Sequence, residues 1–371
     1  MSRPRRPVVA AALAAATAAA TVLVAACTGG DAAPGLPDAH VYAAPYSLEP
    51  FTDTRITSRG GTPDFQRIRA DIDLAGGSFA SVTLIVDLAS TCFPFEGWMS
   101  NPPPSGQRWP ADCDAFDRNF EFTLDEPLAD GDPPAFELVR AITPFGGPLH
   151  FEADMTDLAN ARPGAHRLDA FIATWSDGAG QVSGSDGGWN VSARIDVVPG
   201  DAPRRVLAAV PLFNGRLDSA TVPEAIPFDV PEGATRSRVE LRVTGHGGGA
   251  PTADCIGPAE EFCSRWHHVY LDDVEREPFV PWRSDCEALC TVTHYGAPGS
   301  GFDYCLENPC GNMSSVRAPR ANWCPGSVTP ALEWDAVELA TPGPHTFRHA
   351  VDAVAAGGSW RVSATYYAFG D

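Results

Sequence analysis

Three short clusters hold the residues able to do chemistry. Cys113-Asp114-Ala115-Phe116-Asp117-Arg118 sets two carboxylates and a guanidinium beside a cysteine, and Arg140-Ala141-Ile142-Thr143-Pro144-Phe145 follows. Ala259-Glu260-Glu261-Phe262-Cys263-Ser264-Arg265-Trp266-His267 combines acid, aromatic, Cys and Arg again. The third cluster is Cys305-Leu306-Glu307-Asn308-Pro309 with Arg320-Ala321-Asn322-Trp323-Cys324-Pro325-Gly326. A carboxylate flanked by Arg in a cleft can take a proton from water and return one to a leaving group, acid–base help worth about 100- to 10,000-fold per group. Trp faces suit the apolar faces of sugar rings. Taken alone, an Asp-Arg pair at a strand edge is usually a surface ion pair. Glu261 beside a cysteine reads equally as solvated, and Arg320 as a brace for the Trp323-Cys324 turn.

Other chemistry-bearing patterns lead nowhere. His246-Gly247-Gly248-Gly249 mimics a lipase oxyanion loop, yet the chain has no G-x-S-x-G nucleophile elbow. His267-His268 suggests copper only superficially, because adjacent residues of a strand point to opposite faces. No C-x-x-C pair exists, and Cys286/Cys290 and Cys305/Cys310 lack zinc-ligand companions at the usual offsets, so no metal is expected.

The elements that must carry these clusters are strands. Ile68, Ala70, Ile72 and Leu74 alternate with Arg67, Arg69, Asp71 and Asp73. Val82 to Leu88, Leu168 to Ile172 and Val191 to Val197 repeat the pattern, as do Val239 to Val243 and Trp360 to Tyr366. A period of two with one wet face predicts antiparallel strands of a sandwich. Gly and Pro each occur 35 times among only 20% charged residues, the mark of many short strands joined by turns. Pro199-Gly200-Asp201-Ala202-Pro203 is the best linker, so the second half reads as another sandwich sharing a face with the first. The Cys- and Gly-rich stretch 245–326 is too long for a passive loop.

At the N-terminus Arg3, Arg5 and Arg6 precede an apolar run, 8–24, too short to span a membrane stably, which predicts a signal peptide. Leu23-Val24-Ala25-Ala26-Cys27 is similar to a bacterial lipobox, which makes Cys27 the lipidation site. The expected organisation is a signal peptide at 1–26, a flexible tether at 27–45, and β-sandwich domains at 46–199 and 200–371. The expected location is outside the cytoplasm, lipid-anchored, with the outer membrane favoured. Removing the leader's three arginines would take the formal charge from −21 to −24. So acidic a surface argues against nucleic acid as partner and leaves the lipid as the only membrane contact. All 26 basic residues are Arg. Nine cysteines follow Cys27, so an exported chain has mostly disulfides and one thiol left over.

In order and spacing, the three clusters resemble the bacterial peptide-N-glycosidase F family, most specifically in C-D-x-[aromatic]-D-R and R-x-x-W-C-P-G. The resemblance implies two side-by-side antiparallel jelly rolls, no cofactor, and an N-glycosylated protein or glycopeptide as substrate. The reaction implied is hydrolysis of the amide joining an N-linked glycan to Asn, giving Asp and a glycosylamine. It further implies Asp117 as primary catalytic carboxylate and Glu261 as a second one acting through water. Arg118, Arg320, Trp175 and Trp323 would bind substrate. His246 stands where the family has a Trp, placed to stack on a sugar or shuttle protons. Matched disulfides are Cys92–Cys113 and Cys305–Cys324, with Cys255–Cys263 an inferred substitute; Cys286–Cys290 completes the set and leaves Cys310 unpaired. Two departures matter. The family's catalytic-site Glu two residues before the Trp is Ala173 here, and the Cys92–Cys113 loop is longer and Pro-rich. An inactive glycan-binding module and a structural lipoprotein are therefore the alternatives.

Overall fold

The computed structural model describes residues 43–371 apart from 60–63, 180, 249–251 and 298. The signal peptide, the lipidation site Cys27 and most of the tether lie outside the described residues. No helix among those described is long and apolar enough to cross a membrane.

The first eight strands are β1 (Tyr46–Thr57), β2 (Arg67–Leu74), β3 (Phe79–Ser90), β4 (Asn119–Leu124), β5 (Phe136–Ile142), β6 (Leu149–Asp154), β7 (Gly164–Ile172) and β8 (Gly188–Pro199). After the turn at 200–205 come β9 (Val206–Asp218), β10 (Ile226–Val230), β11 (Arg236–Gly247), β12 (His267–Leu271) and β13 (Val274–Glu275). The chain closes with β14 (Val292–Tyr295), β15 (Phe302–Cys305), β16 (Ser327–Thr329), β17 (Leu332–Asp335), β18 (Gly343–Val351) and β19 (Gly358–Phe369). One sheet runs β1-β8-β3-β6 and its partner β16-β5-β4-β7-β2; the second half holds β17-β11-β19-β9 and β10-β18-β12-β13. Every strand pair is antiparallel, so the protein is all-β and built from two jelly-roll-like sandwiches.

Alternation explains the cores. Phe120, Phe122 and Leu124 of β4 point inward with Val82, Leu84 and Val86 of β3, Trp189 and Ile195. Val239, Leu241 and Val243 of β11 meet Phe347, Trp360 and Tyr366 in the second core. Each such side chain, fully buried, contributes about 1.5–3 kcal/mol.

The other face of β11 departs from expectation. Arg238, Glu240 and Arg242 are not wet: each side chain is only 13% exposed. They face the first sandwich, where Arg242 donates to the Glu137 and Leu138 carbonyls at 3.2 and 3.1 Å. Beside them, buried Arg140 forks onto Glu137 at 2.8 and 2.6 Å and donates to the Arg361 carbonyl at 2.7 Å. Arg361 in turn forks onto buried Glu121 at 2.8 and 2.7 Å. The sandwiches are thus joined through a paired-charge layer, which is stable only because every carboxylate is matched.

The disulfides are Cys92–Cys113, Cys255–Cys263, Cys286–Cys324 and Cys290–Cys305, with Cys310 free. The expected Cys305–Cys324 and Cys286–Cys290 pairs are corrected. Cys286 and Cys290 stand at opposite ends of a 3-10 turn, the first buried under the Trp323 carbonyl. Cys305 ends β15 opposite Val292, which brings it to Cys290 at the foot of the same hairpin, with Cα atoms 5.0 Å apart.

Candidate active site

Asp117 sits on the short run that leads into β4. Asp114 pins that run: its buried carboxylate accepts from the Phe116 N–H, the Ser58 hydroxyl and Nε of Arg118, with Arg118 Nη2 in ion-pair range at 3.0 Å. The Arg118 N–H donates to the Thr143 hydroxyl at 2.8 Å, and the disulfide at Cys113 closes the loop behind. Closing a loop of that length contributes about 3 kcal/mol. With Asp114 occupied by structure, Asp117 is left at the end of the inter-sandwich interface, its side chain 17% exposed.

Glu261 is set by the same division of labour. Its neighbour Glu260 is buried, accepting from Arg265 at 2.8 and 3.0 Å, Trp360 Nε1 at 2.9 Å and the Ala355 N–H at 2.9 Å. That anchor turns Glu261 outward.

Arg320 brings the two acids together. Its segment is held on every side: Arg283 exchanges two backbone hydrogen bonds with Arg320, and the Ala321 N–H donates to the Glu261 carbonyl. Asn322, at φ +66°, donates to the Val243 carbonyl, a backbone state that Asn tolerates better than most residues. Gly245 has no room for a Cβ, which would lie 2.7 Å from that of Ala321. β16 then leaves for β5 in the first sandwich, with the Gly326 N–H on the Ile142 carbonyl, and this crossing carries Arg320 to Asp117. Arg320 Nη1 lies 2.7 Å from Glu261 Oε1, and Nη2 lies 3.9 Å from Asp117 Oδ2. Nη2 also donates to the carbonyl and hydroxyl of Ser315, on a turn capped by Asn312.

The electrostatics of this trio poise one proton. Burial, and then the negative charge of Glu261, lift Asp117 to about 7, against the pull of Arg320 and Arg118. Asp117 therefore exchanges a proton near neutrality. Glu121, deeper in the interface, behaves oppositely: burial would raise it, but Arg361 and Arg140 outweigh that and hold it at about 2.

Other expected site residues take different places. Trp175 is 44% exposed, an open indole face beside Phe116 and Arg118. Trp323 is 2% exposed, its indole donating to the Gly245 carbonyl and lying under the Arg320 guanidinium. It braces the site rather than offering a face to a sugar. Arg118 is 5% exposed and engaged with Asp114, so it supports the Asp117 run instead of reaching outward. His246 stacks on Trp323 at 5.5 Å. Thr244 Oγ1 accepts from Arg140 and lies 2.7 Å from His246 Nε2. Burial, then Arg140, push this imidazole down to about 3, which removes it as a proton shuttle near neutrality. Ala173 donates its N–H to the Asn119 carbonyl, and Asn119 hydrogen-bonds Glu121. His267 pairs with His349 at 3.0 Å and not with His268, which faces Glu275 and Asp352 outside.

Sequence reasoning placed Asp114 and Glu260 in the clusters but gave them no role, and passed over Glu121 and Ser315, polar residues of an alternating and a turn-rich stretch.

Residues 213–366 match the family model described as peptide-N-glycosidase F, C terminal. Over that stretch, under half of the chain, the protein is similar to the peptide-N-glycosidase F family. Its fold matches the crystal structure of PNGF-II at TM-score 0.63 and 17% identity, covering 88% of this chain. The chain spans 65% of PNGF-II, just under two thirds of that protein's length. It matches peptide-N(4)-(N-acetyl-β-D-glucosaminyl)asparagine amidase at TM-score 0.63 and 16% identity, over 88% of this chain and 96% of that one. PNGase F from Flavobacterium meningosepticum, described as a glycosylasparaginase, matches at TM-score 0.61 and 16% identity over the same shares. No curated protein matches the chain by sequence. At such identities the peptide-N-glycosidase F likeness establishes the shared fold, and the chemistry has to be argued from the residues above.

Proposed function

We propose that this protein is a glycoasparagine amidase that hydrolyses the amide between an N-linked glycan and asparagine. The observation that carries the reading is the meeting of Asp117 and Glu261, from separate halves of the molecule, on the single guanidinium of Arg320. In this reading Asp117 and Glu261 order a water at the side-chain carbonyl. Asp117, ionised in part near pH 7, takes the water's proton as its oxygen bonds to the carbonyl carbon. The C–N bond then breaks, the nitrogen receives the proton from Asp117, and Asp and a glycosylamine leave. Arg320 keeps both acids in place and offsets their repulsion, while Trp175 receives a sugar face.

The test is incubation of the soluble chain from residue 43 with a denatured N-glycoprotein, followed by mass spectrometry. Glycan release with an Asn-to-Asp gain of about one mass unit supports the reading. Release unchanged in Asp117→Asn removes Asp117 from it. A second reading, a glycan-binding module, is favoured by Ala173, which puts no carboxylate where the family has one. Retained binding of glycopeptides without any release by the wild-type chain selects it. We also propose export and lipidation at Cys27; metabolic labelling with a fatty acid, lost in Cys27→Ser, tests this.

A further inference from the structure

A pocket of about 250 Å³ opens between the Pro-rich loop 93–112 and the segment 182–186, lined by Arg59, Gln107, Trp109, Pro110, Val182 and Asp186. The loop is fixed on both sides. Trp98 packs edge-on to Trp109 at 5.6 Å, and the Arg108 and Trp109 N–H groups both donate to the Ser183 hydroxyl, at 2.7 and 3.0 Å. Arg59 pairs with Asp186, and the Ser176 hydroxyl bonds both of them. Ser176 directly follows Trp175, so the far wall of the pocket is tied to the open indole of the active site. Ala115, two residues before Asp117, is bonded to the Gly184 carbonyl on the same wall.

From this arrangement we infer that the pocket is a carbohydrate subsite for a neutral pyranose of the N-glycan beyond the sugar attached to asparagine. The inference rests on the amidase reading for its substrate class. The chemistry is that of sugar recognition: the Trp109 indole offers a flat apolar wall for ring C–H groups. The Arg59–Asp186 pair offers planar donors and acceptors for neighbouring hydroxyls. The Arg59 and Asp186 charges cancel, which suits an uncharged ring and disfavours a carboxylated sugar. The volume takes one ring and not a chain. Most of this lining comes from the loop between Cys92 and Cys113, so the subsite belongs to this chain's own elaboration of the fold.

The test uses the Asp117→Asn chain, so that ligand survives, and calorimetric titration with two glycopeptides. One carries a single N-acetylglucosamine on Asn and the other the trimannosyl-chitobiose pentasaccharide. Trp109→Ala should weaken the pentasaccharide glycopeptide by about tenfold, a loss of about 1.4 kcal/mol, and leave the single-sugar ligand unchanged. Trp109→Phe should restore most of the affinity. Val182→Trp, which fills the pocket without removing a buried group, should reproduce the loss and serves if Trp109→Ala does not fold. Equal affinity of the two ligands, or equal loss of both, overturns the subsite. If neither glycopeptide binds, the amidase reading fails. The free pentasaccharide then decides the pocket through the Trp109 indole N–H resonance, with a shift supporting it and no shift overturning it.

Discussion

Glu261 Oε1 lies 2.7 Å from Nη1 of a completely buried Arg320, whose Nη2 reaches Asp117 of the first half at 3.9 Å. Removing the guanidinium should therefore hurt stability and chemistry together. Arg320→Leu leaves Asp117 and Glu261 to repel across an apolar gap, at a cost of about 3–5 kcal/mol read by denaturant unfolding. Arg320→Lys keeps the charge but cannot serve Glu261 and Ser315 together. In any folded variant lacking the positive charge, the inflection of the pH–rate profile set by Asp117 should move upward.

Asp117 predicts a second pH effect. Its pKa in the fold, about 7, lies above the ordinary 3.8, so the native state favours the protonated form. The stability this contributes is complete below pH 4 and is lost as pH rises through 7. Asp117→Asn has no charge to bury. Its advantage in melting temperature over the wild type should grow between pH 4 and 7 and then level, with a plateau of about 1–4 kcal/mol.

The opposite sign holds for the imidazole pair in the second sandwich. Burial pushes His349 down to about 3 and His267 down as well, the latter aided by its neighbours His349 and His268. Around the pair stand Phe279 and Trp360, while Glu275 and Asp352 face His268 outside. Stability is full above pH 6.5 and falls as pH drops toward 3, by up to about 1.4 kcal/mol per unit for each ring. His349→Gln, which cannot take a charge, should flatten the difference in acid unfolding midpoints.

Cys310 gives a packing prediction. Burial raises its thiol far above the ordinary value, so a thiol reagent should label this half-buried side chain more slowly than an exposed cysteine. A Cβ on Gly146, at φ +68°, would fall 2.6 Å from the Cys310 sulfur and 2.8 Å from Cys92 Cβ. Gly146→Ala should cost about 1–3 kcal/mol and speed labelling of Cys310.

How much of this was legible beforehand differs by scale. Period-two patterns at Ile68 to Leu74, Val191 to Val197 and Val239 to Val243 already declared the strands, because the pleat itself enforces that period. The clusters around Asp117, Glu261 and Arg320 carried their chemistry in residue type, and the odd cysteine count foretold a free thiol. What neighbours each residue across space was another matter. Arg238, Glu240 and Arg242 look identical whether their strand face meets water or a second sandwich, and only docking of the two sheets made them an interface. Cys286 and Cys290 are close along the chain, yet a 3-10 turn separates their sulfurs and the hairpin and the Trp323 segment supply nearer partners. Glu260 and Glu261 share a type and a position to within one residue; burial against Arg265 and Trp360 made the first a strut and left the second for the cleft. Local pattern follows from the chain's own geometry, whereas pairing, burial and proton affinity depend on which distant surface arrives, and that is a property of the assembled sheets.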